Sequence, residues 1–218
     1  MIQNSIFALG DWKLTVQNFM GSYIYTIENY YKRPDLVKKF FTTPLPPLWR
    51  GETKGTKNGC FYIDRRMQAN VNDKQLEINL KKLSNLCGQK ILEKDPRIVT
   101  NVTKFFKHSF NDIDNYYWWP HTDLGYNAVI SLNDEFEDEY PGTAIYHPDG
   151  ANIKPPNEGL TPWISKSKYE LVKHIPSKYN RCVLFDGKKF PHAMHINDYT
   201  FFDNFYRVNH VHFFKPYD

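Results

Sequence analysis

From residue 98 onward, apolar and polar positions alternate in short runs separated by turn residues, whereas two earlier stretches repeat at helical spacing. The runs "RIVTNVTKFF", "NYYWW", "YNAVISLN", "TAIYHP", "KYNRCVLFD", "FPHAMHI" and "YRVNHVHFF" are rich in β-branched and aromatic residues. That composition and their Gly, Pro, Asn and Asp boundaries predict the strands of an all-β unit, a sandwich or a barrel. Ahead of them, "YIYTIENYYKRPDLVKKFF" predicts an aromatic strand over Tyr23 to Ile27. A helix then begins at Pro34, with Leu36, Val37, Phe40 and Phe41 on one face. It must end before Pro44, because "TTPLPPLW" cannot continue it. In a second helix Asn72 and Gln75 form a capping pair, Leu76, Leu80, Leu83 and Cys87 make one stripe, and Gly88 suits the C-terminal cap. Both helices are expected to cover one face of a sheet. "GETKGTKNG" reads as a polar loop, and Asp149 to Ser165, with three prolines and two glycines, as a long surface excursion.

The expected class is α+β, mainly β with flanking helices. A length of 218 residues suits one well-buried core better than two. The chain is therefore read as a single domain, residues 1–218, with a helix and strand extension over 1–97 and a β core over 98–218. Aromatics make up 17% of the residues, which favours strands. The formal charge of +4 is not gathered into a dense basic block, so a nucleic-acid partner is not indicated. Cys60, Cys87 and Cys182 lie far apart without a CxxC pair, which argues against a zinc ribbon or a disulfide scaffold. The N-terminus lacks a basic region followed by a long apolar run, and no segment approaches the roughly 18 apolar residues of a membrane span. A soluble cytoplasmic protein with reduced thiols is expected.

Candidate chemistry centres on "WWPHTDLGYNAVISLND". Side chains at i and i+2 of a strand share a face, so His121 and Asp123 would converge on one point. The same two residues also suit an ordinary strand end, with Asp123 capping a turn before Gly125. A facial metal site needs two imidazoles and one carboxylate, so a third ligand must return from a distant strand. "LFDGKKFPHAMHI" offers His192 just after a turn, with His195 as the competitor. Arg207, in the alternating "FYRVNHVHFF", has a planar fork that can pair bidentately with a carboxylate, or can pair at the surface with Asp198 or Asp203. His210 and His212 read as packed or exposed strand residues, and His147 is unassigned.

The order of these features resembles the iron(II)- and 2-oxoglutarate-dependent oxygenases of the prolyl-hydroxylase-like branch. More narrowly, the chain is similar to small bacterial and phage members of that superfamily. The resemblance is carried by HxD on a strand, then "SLNDEFEDEYPGTAIYHP", then a strand ending "LFDG", then Pro191-His192, then Arg207. It is specific over Asn115 to Phe214 and looser before that. It implies a double-stranded β-helix, or jelly-roll, core with N-terminal helices packed on one sheet. It also implies iron(II) held by His121, Asp123 and His192, and 2-oxoglutarate held by Arg207, with dioxygen as the second cosubstrate. Tyr116 and Tyr117 stand where a cosubstrate contact or a pocket wall would be, and Tyr117 is taken as the cosubstrate contact. Pro141-Gly142-Thr143 replaces the usual Gly-Gly-Thr, and the interval from His192 to Arg207 is longer than usual. His192 is preferred to His195 because "HAM" follows the family's pattern at the strand start. Since Asp123 is present where related halogenases carry a small residue, the implied reaction is hydroxylation of a C–H bond. A prolyl or other peptidyl side chain is the first choice of substrate, with a nucleobase or a small metabolite as alternatives. Outside the family, the same residues would suit a non-catalytic jelly-roll binding module or a zinc hydrolase.

Overall fold

The computed structural model describes residues 5–42, 55–57, 60–62, 65–67, 73–88, 99–105, 120–133, 141–149, 169–195 and 207–214. It is mainly β, with antiparallel sheets, two helices and no closed barrel among the described residues. Strands β1 (Lys13–Phe19) and β2 (Ser22–Glu28) form a hairpin, followed by helix α1 (Pro34–Thr42). Three short strands, β3 (Gly55–Lys57), β4 (Cys60–Tyr62) and β5 (Arg65–Met67), precede helix α2 (Lys74–Leu86). The remaining strands are β6 (Val99–Phe105), β7 (Tyr126–Ser131), β8 (Gly142–Tyr146), β9 (Leu171–Pro176), β10 (Cys182–Asp186), β11 (His192–His195) and β12 (Arg207–Phe214).

A seven-stranded sheet runs β1-β2-β10-β7-β12-β6-β5, and a three-stranded sheet runs β11-β8-β9. Along the chain β7 lies in the large sheet, β8 and β9 in the small one, β10 in the large, β11 in the small and β12 in the large. Period-two alternation gives β2, β7 and β10 of the large sheet two apolar faces. Cys182 and Leu184 of β10, Ala128 and Ile130 of β7, and Tyr25 and Ile27 of β2 face the helices, where they meet Val37, Phe41, Leu76, Leu80 and Leu83. Val183, Phe185 and Ile24 point the other way, against Ile145 and Ile175 of the small sheet. The result is three layers: helices, large sheet, small sheet. Strands from the N-terminal segment thus complete the same sheet as the later ones, and both helices lie on its outer face as the apolar stripes predict.

Helix α2 begins one residue later than the sequence suggests. Asp73, not Asn72, is the N-cap, its carboxylate accepting from the Gln75 backbone N–H at 2.8 Å. Gly88, at φ +66, supplies the left-handed residue beyond the C-terminus. Three strand regions were not legible. Strand β1 is exposed along nearly its whole length, so it has no buried face to impose an alternating pattern. The "GETKGTKNG" region contributes β3 instead of loop alone, with β4 and β5 following it at Cys60 and Arg65. Strand β9, "LVKHIP", is half-buried along its middle, exposed at both ends and fully buries only Ile175. The predicted strand "NYYWW" and the excursion over 150–165 fall outside the described residues.

A left-handed Asn180, at φ +60, ties the two ends of the core together. Its side chain accepts from the Tyr31 N–H at 2.8 Å and donates to the Tyr31 carbonyl at 2.9 Å, a two-point clamp across a long sequence separation. The Tyr31 hydroxyl in turn lies 2.6 Å from His210 Nδ1. His210 and His212 are fully buried on the helix-facing side of β12, their rings 4.4 Å apart. Burial pushes the His210 pKa well below its ordinary value, and that of His212 down to about 3. Both rings are therefore neutral in the folded chain, while the unfolded chain protonates them below about pH 6.5. Because the unfolded state then binds more protons, stability must fall as the pH drops from about 6.5 toward 3. Urea unfolding across that window should show this loss, and His212→Gln should flatten the pH dependence; an unchanged slope would contradict the assignment.

Candidate metal centre

Three elements assemble the site. The segment before β7 carries His121 and Asp123, β11 begins with His192, and the turn from β10 to β11 fills the space between them. That turn is set by Asp186, whose carboxylate accepts from the Lys188 and Lys189 backbone N–H groups at 3.0 and 3.2 Å. Its backbone closes the turn by accepting from Phe190 N–H at 3.1 Å. His192 then lies directly opposite His121 in an isolated antiparallel bridge. The two residues exchange hydrogen bonds, His121 N–H to the His192 carbonyl at 3.1 Å and His192 N–H to the His121 carbonyl at 2.8 Å. Residues opposite each other in an antiparallel pair share a face, so the rings meet, with centroids 4.5 Å apart. Two residues on, Asp123 is fixed by its own N–H donating to the Gly187 carbonyl at 2.8 Å.

The potential ligand atoms of His121, Asp123 and His192 all lie within 4.8 Å of one another, the one such His, Cys, Asp and Glu group among the described residues. Asp123 Oδ2 is 3.2 Å from His192 Nε2 and 4.0 Å from His121 Nε2. A divalent metal about 2.1 Å from each donor sets neighbouring donors about 3 Å apart. The Asp123–His192 edge already has that length, and His121, the more exposed of the two imidazoles, needs a side-chain rotation to close the other. The donor chemistry fits as well. His192 Nδ1 is 3.0 Å from the Phe190 carbonyl, a bond that fixes the proton on Nδ1 and leaves Nε2 as the lone-pair donor. Burial raises the Asp123 pKa, but the hydrogen bond and charge of His192 in its protonated form, with smaller contributions from His121 and Asn127, outweigh it and hold the carboxyl well below the usual carboxylate range.

Each candidate from the sequence has a place. His121, Asp123 and His192 come together. His195 does not join them: it lies an odd number of residues from His192, on the opposite face of β11, where its ring packs 4.1 Å from that of His174. The two rings meet over Gly142, which is opposite His195 and where a Cβ would approach the Ile175 carbonyl to 2.1 Å and His174 Nε2 to 2.6 Å. The backbone of Arg207 opens β12 opposite Phe105, and its side chain is outside the described part of the structure. Tyr116, Tyr117 and the 197–205 insertion lie outside the described residues as well.

Two contributors were missed by sequence reasoning. Asn127, only 1% exposed, sits on β7 at the same strand parity as Asp123. Its Nδ2 donates to Asp123 Oδ2 at 2.5 Å and lies 2.8 Å from His192 Nε2. Parity was the available signal. The second is Gly187, where a Cβ would meet the Gly125 carbonyl at 2.8 Å and Asn127 Nδ2 at 2.9 Å. The glycine lets the turn backbone press against the residues that support the ligands. No family model and no curated protein matches the chain, so the residues of the site are read on their own geometry.

Gly187→Ala should cost about 1–3 kcal/mol in stability through overpacking and should weaken metal binding by disturbing the Gly187 carbonyl that holds the Asp123 N–H. Urea unfolding and cobalt(II) titration of the variant measure the two effects. Wild-type values for both would show that this close approach does not matter.

Proposed function

We propose that the protein is an iron(II)- and 2-oxoglutarate-dependent dioxygenase that hydroxylates a C–H bond of its substrate. The observation that carries this reading is the convergence of two imidazoles and one carboxylate from sequence-distant segments on one point, with the ligand tautomer of His192 set by Phe190. This is the donor set of the facial non-haem iron site, which leaves positions open for a cosubstrate. Support also comes from the strand order. With the His121 bridge counted, one layer reads His121 segment-β11-β8-β9 and the facing layer contains β10-β7-β12-β6. Successive strands alternating between facing sheets in this way are what a double-stranded β-helix core requires.

In this reading His121, Asp123 and His192 hold the iron. Arg207, which shares strand parity with Asn209 and Val211, anchors the distal carboxylate of 2-oxoglutarate. Its fork would fix the cosubstrate by paired charge-assisted hydrogen bonds, a geometric demand that lysine meets less well. Tyr117 is assigned a contact to the same cosubstrate. Asp123 neutralises part of the cation's charge. When bound, iron(II) with 2-oxoglutarate supplies the oxidising power that converts C–H to C–OH at the expense of dioxygen, with succinate and carbon dioxide as coproducts. Ile145 of β8 lies opposite His192 and Phe185 of β10 packs edge-on against its ring, so the centre has an apolar wall on that side. A peptidyl side chain, a prolyl ring first among them, is the substrate class proposed.

Anaerobic titration of the protein with iron(II) and 2-oxoglutarate should develop the weak visible charge-transfer band of the chelate. His121→Ala, Asp123→Ala and His192→Ala should each abolish it. Arg207→Ala should weaken 2-oxoglutarate binding far more than iron binding. Absence of the band from the wild type, or its survival in all three ligand variants, would overturn the proposal. Metal binding without a band would turn the reading toward a hydrolytic zinc site.

A further inference from the structure

Asn127 occupies a lone pair that a metal at this site would need, and the inference drawn from this rests on the metal-site reading above. An imidazole nitrogen carries a single in-plane lone pair, and a carboxylate oxygen carries two. His192 Nδ1 lies 3.0 Å from the Phe190 carbonyl, an acceptor only, so in the neutral ring the proton is on Nδ1 and Nε2 accepts. The group facing that Nε2 at 2.8 Å is the Asn127 amide. Both partners of the amide end, His192 Nε2 and Asp123 Oδ2, are acceptors, so the end turned toward them must be the N–H₂ group. A cation coordinated by His192 takes the lone pair that now accepts this N–H. The two cannot coexist on His192. Asp123 is different, because its Oδ2 has a second lone pair and can keep the Asn127 N–H while serving a metal.

We propose that Asn127 is a built-in competitor for the metal position, releasing His192 and retaining Asp123 whenever a cation enters. The amide is held for this task. It is buried, pressed against Gly187 and aimed at the ligand atoms, while its Oδ1 finds no hydrogen-bond partner among the described residues. A side chain selected only to brace the ligands would gain by satisfying that oxygen, since an unpaired buried acceptor is costly. Binding therefore begins with a side-chain rotation and the loss of one hydrogen bond. The competitor raises the threshold for any cation, and most for those that gain little from an imidazole nitrogen, such as magnesium and calcium.

The test uses the full chain and cobalt(II) alone, with no 2-oxoglutarate, followed by its visible absorption and by stopped-flow mixing. Asn127→Ala should bind cobalt(II) about 2- to 12-fold more tightly, the worth of one net hydrogen bond, and should take it up faster. Equal or weaker binding by a folded Asn127→Ala, with its unfolding transition intact, overturns the proposal and makes Asn127 a brace. Should the alanine variant fold poorly, the wild type decides through nitrogen-15 NMR. Zinc(II) must then shift both the Asn127 side-chain amide and the His192 Nε2 signals, and an unmoved Asn127 signal overturns the proposal. The oxygenase reading fails separately. Cobalt(II) binding eased in Asn127→Ala, with no iron–2-oxoglutarate band in the wild type, sinks that reading and leaves the competitor standing.

Discussion

Two reciprocal backbone hydrogen bonds between His121 and His192 are the stitch on which the candidate site depends. Each is an ordinary amide-to-carbonyl bond, worth only about 0.5–1.5 kcal/mol net. Their importance is geometric. A hydrogen-bonded antiparallel pair fixes which face each side chain takes, so one pair of bonds delivers two imidazoles to the same side. The third donor, Asp123, lies two residues beyond His121 in the segment leading into β7 and is pinned through its own N–H to Gly187. The rest of the fold can be seen as a frame that holds this stitch in register. The large sheet supplies β7, which continues from Asp123, and β10, which leads through the Asp186 turn into β11. The helices, by covering the outer face of that sheet, free its inner face to meet the small one.

Several polar groups within the layers are matched to particular partners. Asn180 meets both backbone groups of Tyr31, and the Tyr31 hydroxyl meets His210. On the helix side, histidines are kept neutral by burial among aromatic rings, Phe41 lying 4.9 Å from His210. On the inner side, His192 is oriented by a backbone carbonyl and packed edge-on to Phe185 at 4.8 Å. Two strands thus carry histidines for opposite purposes. Those of β12 behave as aromatic core residues, while His192 of β11 offers its Nε2 lone pair to the Asn127 amide beside Asp123.

Much of this was legible in the sequence because periodicity is a local property. The stripe of Leu76, Leu80 and Leu83 gave the second helix, Pro34 gave the start of the first, and i, i+2 spacing put His121 and Asp123 on one face. The choice of His192 over His195 rested on resemblance, whereas in the structure it reduces to parity: residues three apart on a strand face opposite ways. What could not be read were features without a one-sided pattern, such as the exposed β1, and features created by tertiary approach. Asn127 in "YNAVISLN" looks like any polar residue near a strand start until β11 is folded against it. Gly187 looks like a turn residue, and only the position of Asn127 reveals that its missing side chain matters.

The five residues from Gly187 to Pro191 set a phase as well as a direction. Strand β11 can pair with β8 equally well by its backbone if shifted by one residue, but such a slip would carry Ala193 inward and put the His192 ring on the outer surface. Length, more than composition, is therefore what natural variation at this turn must preserve: substitutions at Lys188 or Lys189 leave the phase alone, whereas a single-residue insertion or deletion would erase the ligand set from a chain whose strands all still form.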